Sequence, residues 1–141
     1  DYTCALDQAD LVQEGSDVTI LTYSRMRHHC LKAVEQLEAD GISVELIDLI
    51  SLKPFDMETI AKSIRKTHRV IVVEECMKTG GIGAELIALI TEHCFDDLDA
   101  RPIRLSSQDI PTPYNGNLEN LTIIQPHQIV ETAQAIVRTG L

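Results

Sequence analysis

Residues 69–86 read RVIVVEECMKTGGIGAEL, and the order of residue types within them decides the fold. Val70, Ile71, Val72 and Val73 form a β-branched apolar run that ends in two carboxylates, Glu74 and Glu75. A short loop bearing Gly80, Gly81 and Gly83 then opens an apolar helix. A continuous apolar strand needs cover on both faces, and strand, sharp loop and helix in that order are the unit of a parallel sheet wrapped by helices. Functional loops in such sheets lie at the carboxyl ends of the strands, where this segment puts its carboxylates and glycines.

The same alternation recurs on either side. Residues 17–23 (DVTILTY) have the composition of a strand buried on both faces. Ser24 is placed to cap a helix on which Met26, Cys30, Val34 and Leu37 share a face, and Asp40-Gly41 stops it. Residues 42–50 form a second apolar strand. Lys53-Pro54 breaks regular structure, and Asp56 precedes a helix with Met57, Ile60, Ala61 and Ile64 at helical spacing. The strand over 69–74 and the glycine loop lead to a helix carrying Leu86, Ile87, Leu89 and Ile90. Residues 101–105 alternate, with Ile103 and Leu105 on one side, as a strand nearer a sheet edge does. A proline- and glycine-punctuated loop follows at 109–116 (DIPTPYNG), and a last helix over 126–138 buries Ile129, Val130, Ala133, Ile136 and Val137. Strands alternating with helices imply one doubly wound α/β domain with right-handed crossovers. Residues 1–10 lack a period and are expected to be a linker remnant, leaving 11–141 as the domain.

The composition agrees with this. Hydrophobic residues are 44% and charged residues 24% of 141, ordinary values for a soluble domain. No apolar run approaches the roughly 20 residues that span a bilayer, and no basic-then-apolar leader is present. The first residue is Asp1 rather than Met, so a processed or excised piece of a longer chain is expected. Twelve Lys and Arg stand against 22 Asp and Glu, a formal charge of −10. Such a surface repels nucleic acid and anionic membranes, and steers a basic partner towards itself or serves solubility alone. Cys4, Cys30, Cys76 and Cys94 show no C-x-x-C pairing and read as scattered reduced thiols of an intracellular protein.

No catalytic constellation emerges from the residues. The glycine loop lacks both G-x-G-x-x-G and G-x-x-x-x-G-K-[ST], and Glu74 and Glu75 would repel a phosphate, so a structural turn permitting close strand–helix packing is expected. Glu74 and Glu75 are neighbours on a strand, point to opposite faces and do not converge as an acid–base pair; Lys78 is placed to pair with either. His28 and His29 lie about 100° apart on a helix and cannot ligate one metal together. A zinc site from Cys76, His93 and Cys94 has no local spacing to support it. Ser106-Ser107 lies on no nucleophile elbow. Catalytic, cofactor-binding and metal residues are therefore all expected to be absent.

Four stretches carry a more specific signal: 17–27 (DVTILTYSRMR), 47–56 (IDLISLKPFD), 66–86 (KTHRVIVVEECMKTGGIGAEL) and 105–116 (LSSQDIPTPYNG). Together they resemble the C-terminal, transketolase-like domain in the beta subunits of thiamine-dependent pyruvate dehydrogenases of the cyanobacterial and plastid type, over nearly the whole chain from Gly15 onward. Beta subunits of branched-chain oxoacid and acetoin dehydrogenases share the frame with looser wording. The resemblance implies a three-layer α/β/α sandwich whose mostly parallel five-stranded sheet has one antiparallel edge strand, near Leu11–Glu14, with the 17–22 strand central.

It also implies a heterotetramer of alpha and beta subunits that uses thiamine diphosphate and Mg2+ to decarboxylate pyruvate and pass the acetyl unit to lipoyl groups. The catalytic residues of the beta subunit lie in its N-terminal domain, outside this sequence, so the chain alone is expected to be inactive and to bind neither thiamine diphosphate nor pyruvate. Implied partners are the alpha subunit, a second beta subunit and the dihydrolipoamide acyltransferase core, in the bacterial cytoplasm or plastid stroma. Glu74, Glu75, Gly80, Gly81 and Gly83 take a structural or interface role. The 75–83 and 109–116 loops are expected to form a surface bared for self-association. Glu92, Asp96, Asp97 and Asp99, facing one uncharged histidine, make a negative rim, and Asp96, Asp97 and Asp99 are the expected dock for the basic subunit-binding module of the acyltransferase, unless the loop is simply solvated. A free-standing module that binds a small ligand or partner at the Gly80–Gly83 loop is the competing expectation.

Overall fold

The four side chains Val70, Ile71, Val72 and Val73 are all completely buried, and they divide by parity between two cores. Ile71 and Val73 join Val18, Ile20, Val44 and Leu46 on one face of the sheet, whereas Val70 and Val72 join Leu21 and Ile47 on the other. Side chains alternate across a strand, so a run with no polar interruption demands a helical layer on each side. The computed structural model, which describes residue 3 and residues 5–140, has both.

The strands are β1 (Asp10–Gln13), β2 (Val18–Thr22), β3 (Val44–Asp48), β4 (Val70–Met77) and β5 (Ile103–Ser107). Their order is β1-β3-β2-β4-β5, antiparallel between β1 and β3 and parallel elsewhere. The helices are α1 (Met26–Ala39), α2 (Met57–Thr67), α3 (Ile82–Cys94), α4 (Gly116–Thr122) and α5 (Pro126–Thr139). α1 and α5 cover one face through Met26, Ala33, Leu37, Ile129 and Ile136; α2 and α3 cover the other through Ile60, Ile64, Leu86 and Ile90. The chain belongs to the α/β/α class expected, with the antiparallel edge strand and the central β2 in their expected places.

Two polar clusters sit inside this apolar frame. Thr19, on the wholly buried β2, shares its hydroxyl with Ser63 at 2.6 Å and Thr67 at 2.7 Å on α2. Each hydroxyl then has a partner, which removes the cost of burying it. Asp56 caps α2: its carboxylate accepts from the Thr59 amide at 3.1 Å, the Thr59 hydroxyl at 2.6 Å and the Ala9 amide at 3.0 Å. Burial acts to raise its pKa, and these hydrogen bonds outweigh burial and hold it below the ordinary carboxylate value.

Several local expectations need correction. Ser24 does not cap α1; it has φ +55°, its carbonyl accepts from the Arg27 amide, and the helix starts without a side-chain cap. β3 is shorter than residues 42–50 because Ile50 turns out of the sheet with φ +54°. β4 continues past Glu74 to Met77 through an irregular register against β5. β5 runs over 103–107 instead of 101–105. The 109–116 loop leads directly into α4, a helix without a clear apolar period in the sequence. The expected linker 1–10 gives its last two residues to the fold, since the Ala9 amide binds Asp56 and Asp10 opens β1.

Candidate functional site

The chain runs from β2 to β3 on one side of the sheet and later returns to β4 on the other. The crevice beyond the carboxyl ends of β2 and β4 is therefore the topological switch point, the usual ligand position in open α/β sheets. Tyr23, Ser24 and Arg25 enter it from β2, and residues 74–83 enter it from β4.

Glu74 fills this crevice. Its side chain is fully buried. One carboxylate oxygen accepts from the Gly83 amide in the first turn of α3 at 2.8 Å and from the Tyr23 hydroxyl at 3.3 Å. The other accepts from the Ser106 hydroxyl at 2.7 Å and lies 3.6 Å from Arg104 Nε. A negative charge at a helix N-terminus, paired with a guanidinium and given hydrogen bonds, meets the conditions under which a buried carboxylate is tolerated. Burial, then the hydrogen bond and charge of Cys76, then Glu74 itself, raise the Tyr23 pKa strongly, so Tyr23 remains a phenol able to donate.

The glycines make this possible. A Cβ on Gly83 would stand 2.6 Å from Glu74 Oε1, and one on Gly81 would stand 2.5 Å from the Met77 carbonyl oxygen. Gly80 has φ +77°, the left-handed conformation that turns the chain into α3. The loop is held further by Arg104, which donates to the Lys78 carbonyl, and by Asp109, which accepts from the Thr79 amide and hydroxyl at 2.8 and 2.7 Å. Those two bonds hold the exposed Asp109 carboxyl below its ordinary pKa. Glu74 thus accepts three hydrogen bonds and faces one guanidinium, and no part of its side chain is exposed.

Glu74 and Glu75 point apart as alternation requires. Glu75 lies at the surface, 3.3 Å from Arg25, which also pairs with Glu119 of α4 at 3.0 Å and donates to Asn120. Lys78 is not the partner of either carboxylate; Arg104 and Arg25 are. Arg104, Ser106 and Tyr23 were not among the expected site residues. The alternation of β5 carries the signal for two of them: with Ile103 and Leu105 on the α1/α5 face, Arg104 and Ser106 must share the other, where a lone arginine needs a carboxylate.

The acidic rim is less negative than its sequence. Asp97 pairs with Arg65 at 3.3 Å and its carbonyl accepts from His68, while Asp99 lies 4.0 Å from Arg69. Asp96 and Glu92 remain exposed and make no ion pair among the described residues, beside a Phe95 that is 69% exposed. The rim is mixed in charge because Arg65 in the last turn of α2 and Arg69 just beyond that helix, both distant in sequence, reach it. Cys76 is exposed and within 3.4 Å of the Tyr23 hydroxyl, whereas Cys94, the last residue of α3, is buried; Cys4 lies outside the described residues. No group of three or more metal-ligating side chains occurs among the described residues.

A hollow of about 200 Å³ opens beneath α4, lined by Glu75, Cys76, Met77, Ser107, Ile110 and Thr122 among others. Met77 and Ile110 on its wall are partly exposed, and Tyr114 in the preceding loop and Leu118 and Leu121 on α4 are further exposed apolar side chains. The loops expected to be bare do carry apolar surface, and α4 extends it.

Comparison with known proteins gives the family of the chain. The chain is 61% identical over 140 residues to the pyruvate dehydrogenase E1 component subunit beta of Porphyra purpurea, covering 99% of the chain and 42% of that protein. It is 54% identical over 136 residues to the chloroplastic pyruvate dehydrogenase E1 component subunit beta-2 of Arabidopsis thaliana, covering 96% of the chain and 34% of that protein. The chain thus spans about two fifths or less of these curated relatives. Among solved structures, a split-gene transketolase, described as an inactive beta4 tetramer, superposes with a TM-score of 0.83 at 26% identity over 96% of this chain and 44% of its own. The sequence profile of the transketolase C-terminal domain matches residues 7–129, and the chain belongs to the transketolase C-terminal domain family.

Proposed function

We propose that this chain is the C-terminal domain of the beta subunit of a thiamine-diphosphate-dependent pyruvate dehydrogenase, and that it serves assembly and docking while catalysis resides elsewhere in the enzyme. The observation that carries the reading is identity of 54–61% to named beta subunits over almost every residue of the chain. The same relatives favour pyruvate over branched-chain oxoacids or acetoin as the substrate of the full enzyme. Thiamine diphosphate and Mg2+ belong to that full enzyme, as do the alpha subunit and the second beta subunit. The chloroplastic relative supports the plastid stroma as the compartment, with the bacterial cytoplasm as the alternative.

The exposed apolar side chains of the 75–83 and 109–116 loops and of α4 (Met77, Ile110, Tyr114, Leu118 and Leu121) are the proposed contact with a second beta subunit. A solved relative assembles from beta chains alone, which supports self-association through this domain. Docking of the acyltransferase is assigned to Asp96, with Asp97 and Asp99 contributing through charges already shared with Arg65 and Arg69. The Gly80–Gly83 loop acts as a structural support for these surfaces.

The test is an exchange. This chain replaces the matching segment of the Porphyra purpurea beta subunit, which is then produced with its alpha subunit. A heterotetramer that decarboxylates pyruvate with thiamine diphosphate and Mg2+ is expected, and Leu118→Asp with Leu121→Asp should split it into smaller species. A correctly folded exchange protein that never assembles would refute the reading.

A further inference from the structure

Open α/β sheets take anionic ligands at the switch point, where a helix N-terminus and convergent donors meet. Here that position is built as such a site: the Gly83 amide, the Ser106 and Tyr23 hydroxyls and the Arg104 guanidinium converge on one point from α3, β5 and the end of β2. Arg104 is itself mostly buried, with 16% of its side chain exposed, so its charge is screened much less than a surface charge. What occupies the point is the chain's own carboxylate, placed without remaining exposure. We infer that the switch-point crevice is a carboxylate-binding site ligated internally by Glu74, closed to free ligands in the native chain and open to small monocarboxylates such as formate and acetate once that side chain is removed.

The donors select the class. They are two hydroxyls, one amide and one planar cation, which suit a planar two-oxygen anion. The room is small: a Cβ on Gly83 or Gly81 would stand 2.6 or 2.9 Å from a Glu74 oxygen, so the crevice has little space beyond the carboxylate itself. The inference is independent of which enzyme the domain serves: it concerns Glu74 and its donors alone. It bears on the competing ligand-module expectation, because a free anion and Glu74 cannot share the crevice.

Glu74→Ala removes the internal ligand and leaves the donors in place. It is compared with the native chain and with Glu74→Gln, which keeps the crevice filled. Thermal unfolding is followed in formate, acetate or chloride at equal ionic strength, and the Gly83 amide resonance is followed by NMR during an acetate titration. Expected is a lowered Tm for Glu74→Ala that acetate raises by about 3 °C or more in a saturable way, with a saturable Gly83 shift. The native chain and Glu74→Gln should show no shift beyond that in chloride. If Glu74→Ala does not fold in chloride, refolding yield in acetate against chloride replaces the melting curve, and a selective gain supports the inference. Equal responses in all three proteins, or no response from Glu74→Ala in either measurement, would overturn it.

Discussion

Gly83→Ala isolates the contact on which the 74–83 segment depends. The new Cβ would lie 2.6 Å from Glu74 Oε1, 2.8 Å from its Cδ and 3.0 Å from Arg104 Cδ, so the carboxylate has to leave its position. Leaving it weakens the bonds from the Gly83 amide and the Ser106 hydroxyl, each worth about 1.5–3 kcal/mol for an ionised acceptor. Against this, Ala gains up to about 1 kcal/mol over Gly in a helix. A net loss of about 2–4 kcal/mol follows, which for a domain of this size is a fall in Tm of roughly 6–15 °C. The same substitution in a Glu74→Ala background meets no carboxylate, and there it should be neutral or stabilising by up to about 1 kcal/mol. Chemical denaturation followed by far-UV circular dichroism measures all four proteins, the chain having no tryptophan for fluorescence. An equal cost of Gly83→Ala in both backgrounds would refute the reasoning, since the damage would then not pass through Glu74.

The remaining predictions concern the cap and the thiols. Asp56→Ala should cost about 1–2 kcal/mol near neutral pH. Because the folded-state pKa of Asp56 is lowered, its contribution is present above the ordinary carboxylate range and is lost as pH falls through the folded value; the deficit of the variant should close in acid, as denaturation at several pH values will show. Burial pushes the Cys30 thiol up to about 12, with a smaller rise from Asp48 against the hydrogen bond to Thr22, and burial also raises Cys94. At mildly alkaline pH the thiolate fraction of Cys30 is then roughly a thousandfold below that of an ordinary thiol. Iodoacetamide should label Cys76 in the native chain, and Cys30 and Cys94 only after unfolding, as peptide mass spectrometry can check.

The layered fold was legible because burial leaves a periodic mark. Val70–Val73 and Val18–Leu21 have no polar residue that could face water, apart from Thr19, whose hydroxyl finds α2. Met26, Cys30, Val34 and Leu37 likewise announce the buried face of α1. The site was legible only in part. Glu74 and the glycines were singled out, but the partners of Glu74 come from residues 23, 104 and 106, and pairing across a sheet depends on strand order, which no local pattern states. The charge of the 92–99 rim was misjudged for the same reason, since Arg65 and Arg69 reach it from the far end of α2. Ser24 and Ile50 escaped because positive φ in a residue other than glycine is a response to the surrounding structure. α4 escaped because a seven-residue helix with exposed Leu118 and Leu121 has no buried stripe to reveal it.

The pairing of α1 with α5 has a consequence for biosynthesis. The sheet face formed by Val18, Ile20, Ile71 and Val73 receives half its cover from α1 early, and the other half only from Ile129, Val130, Ala133 and Ile136 of α5. At ordinary elongation rates, roughly two to six seconds separate the synthesis of Ser107 from that of Thr139. Until α5 docks, that flank of the sheet lacks its second helix, and apolar surface left open in this way favours association with other chains. A slow codon cluster within α5 would lengthen the interval without altering a single residue.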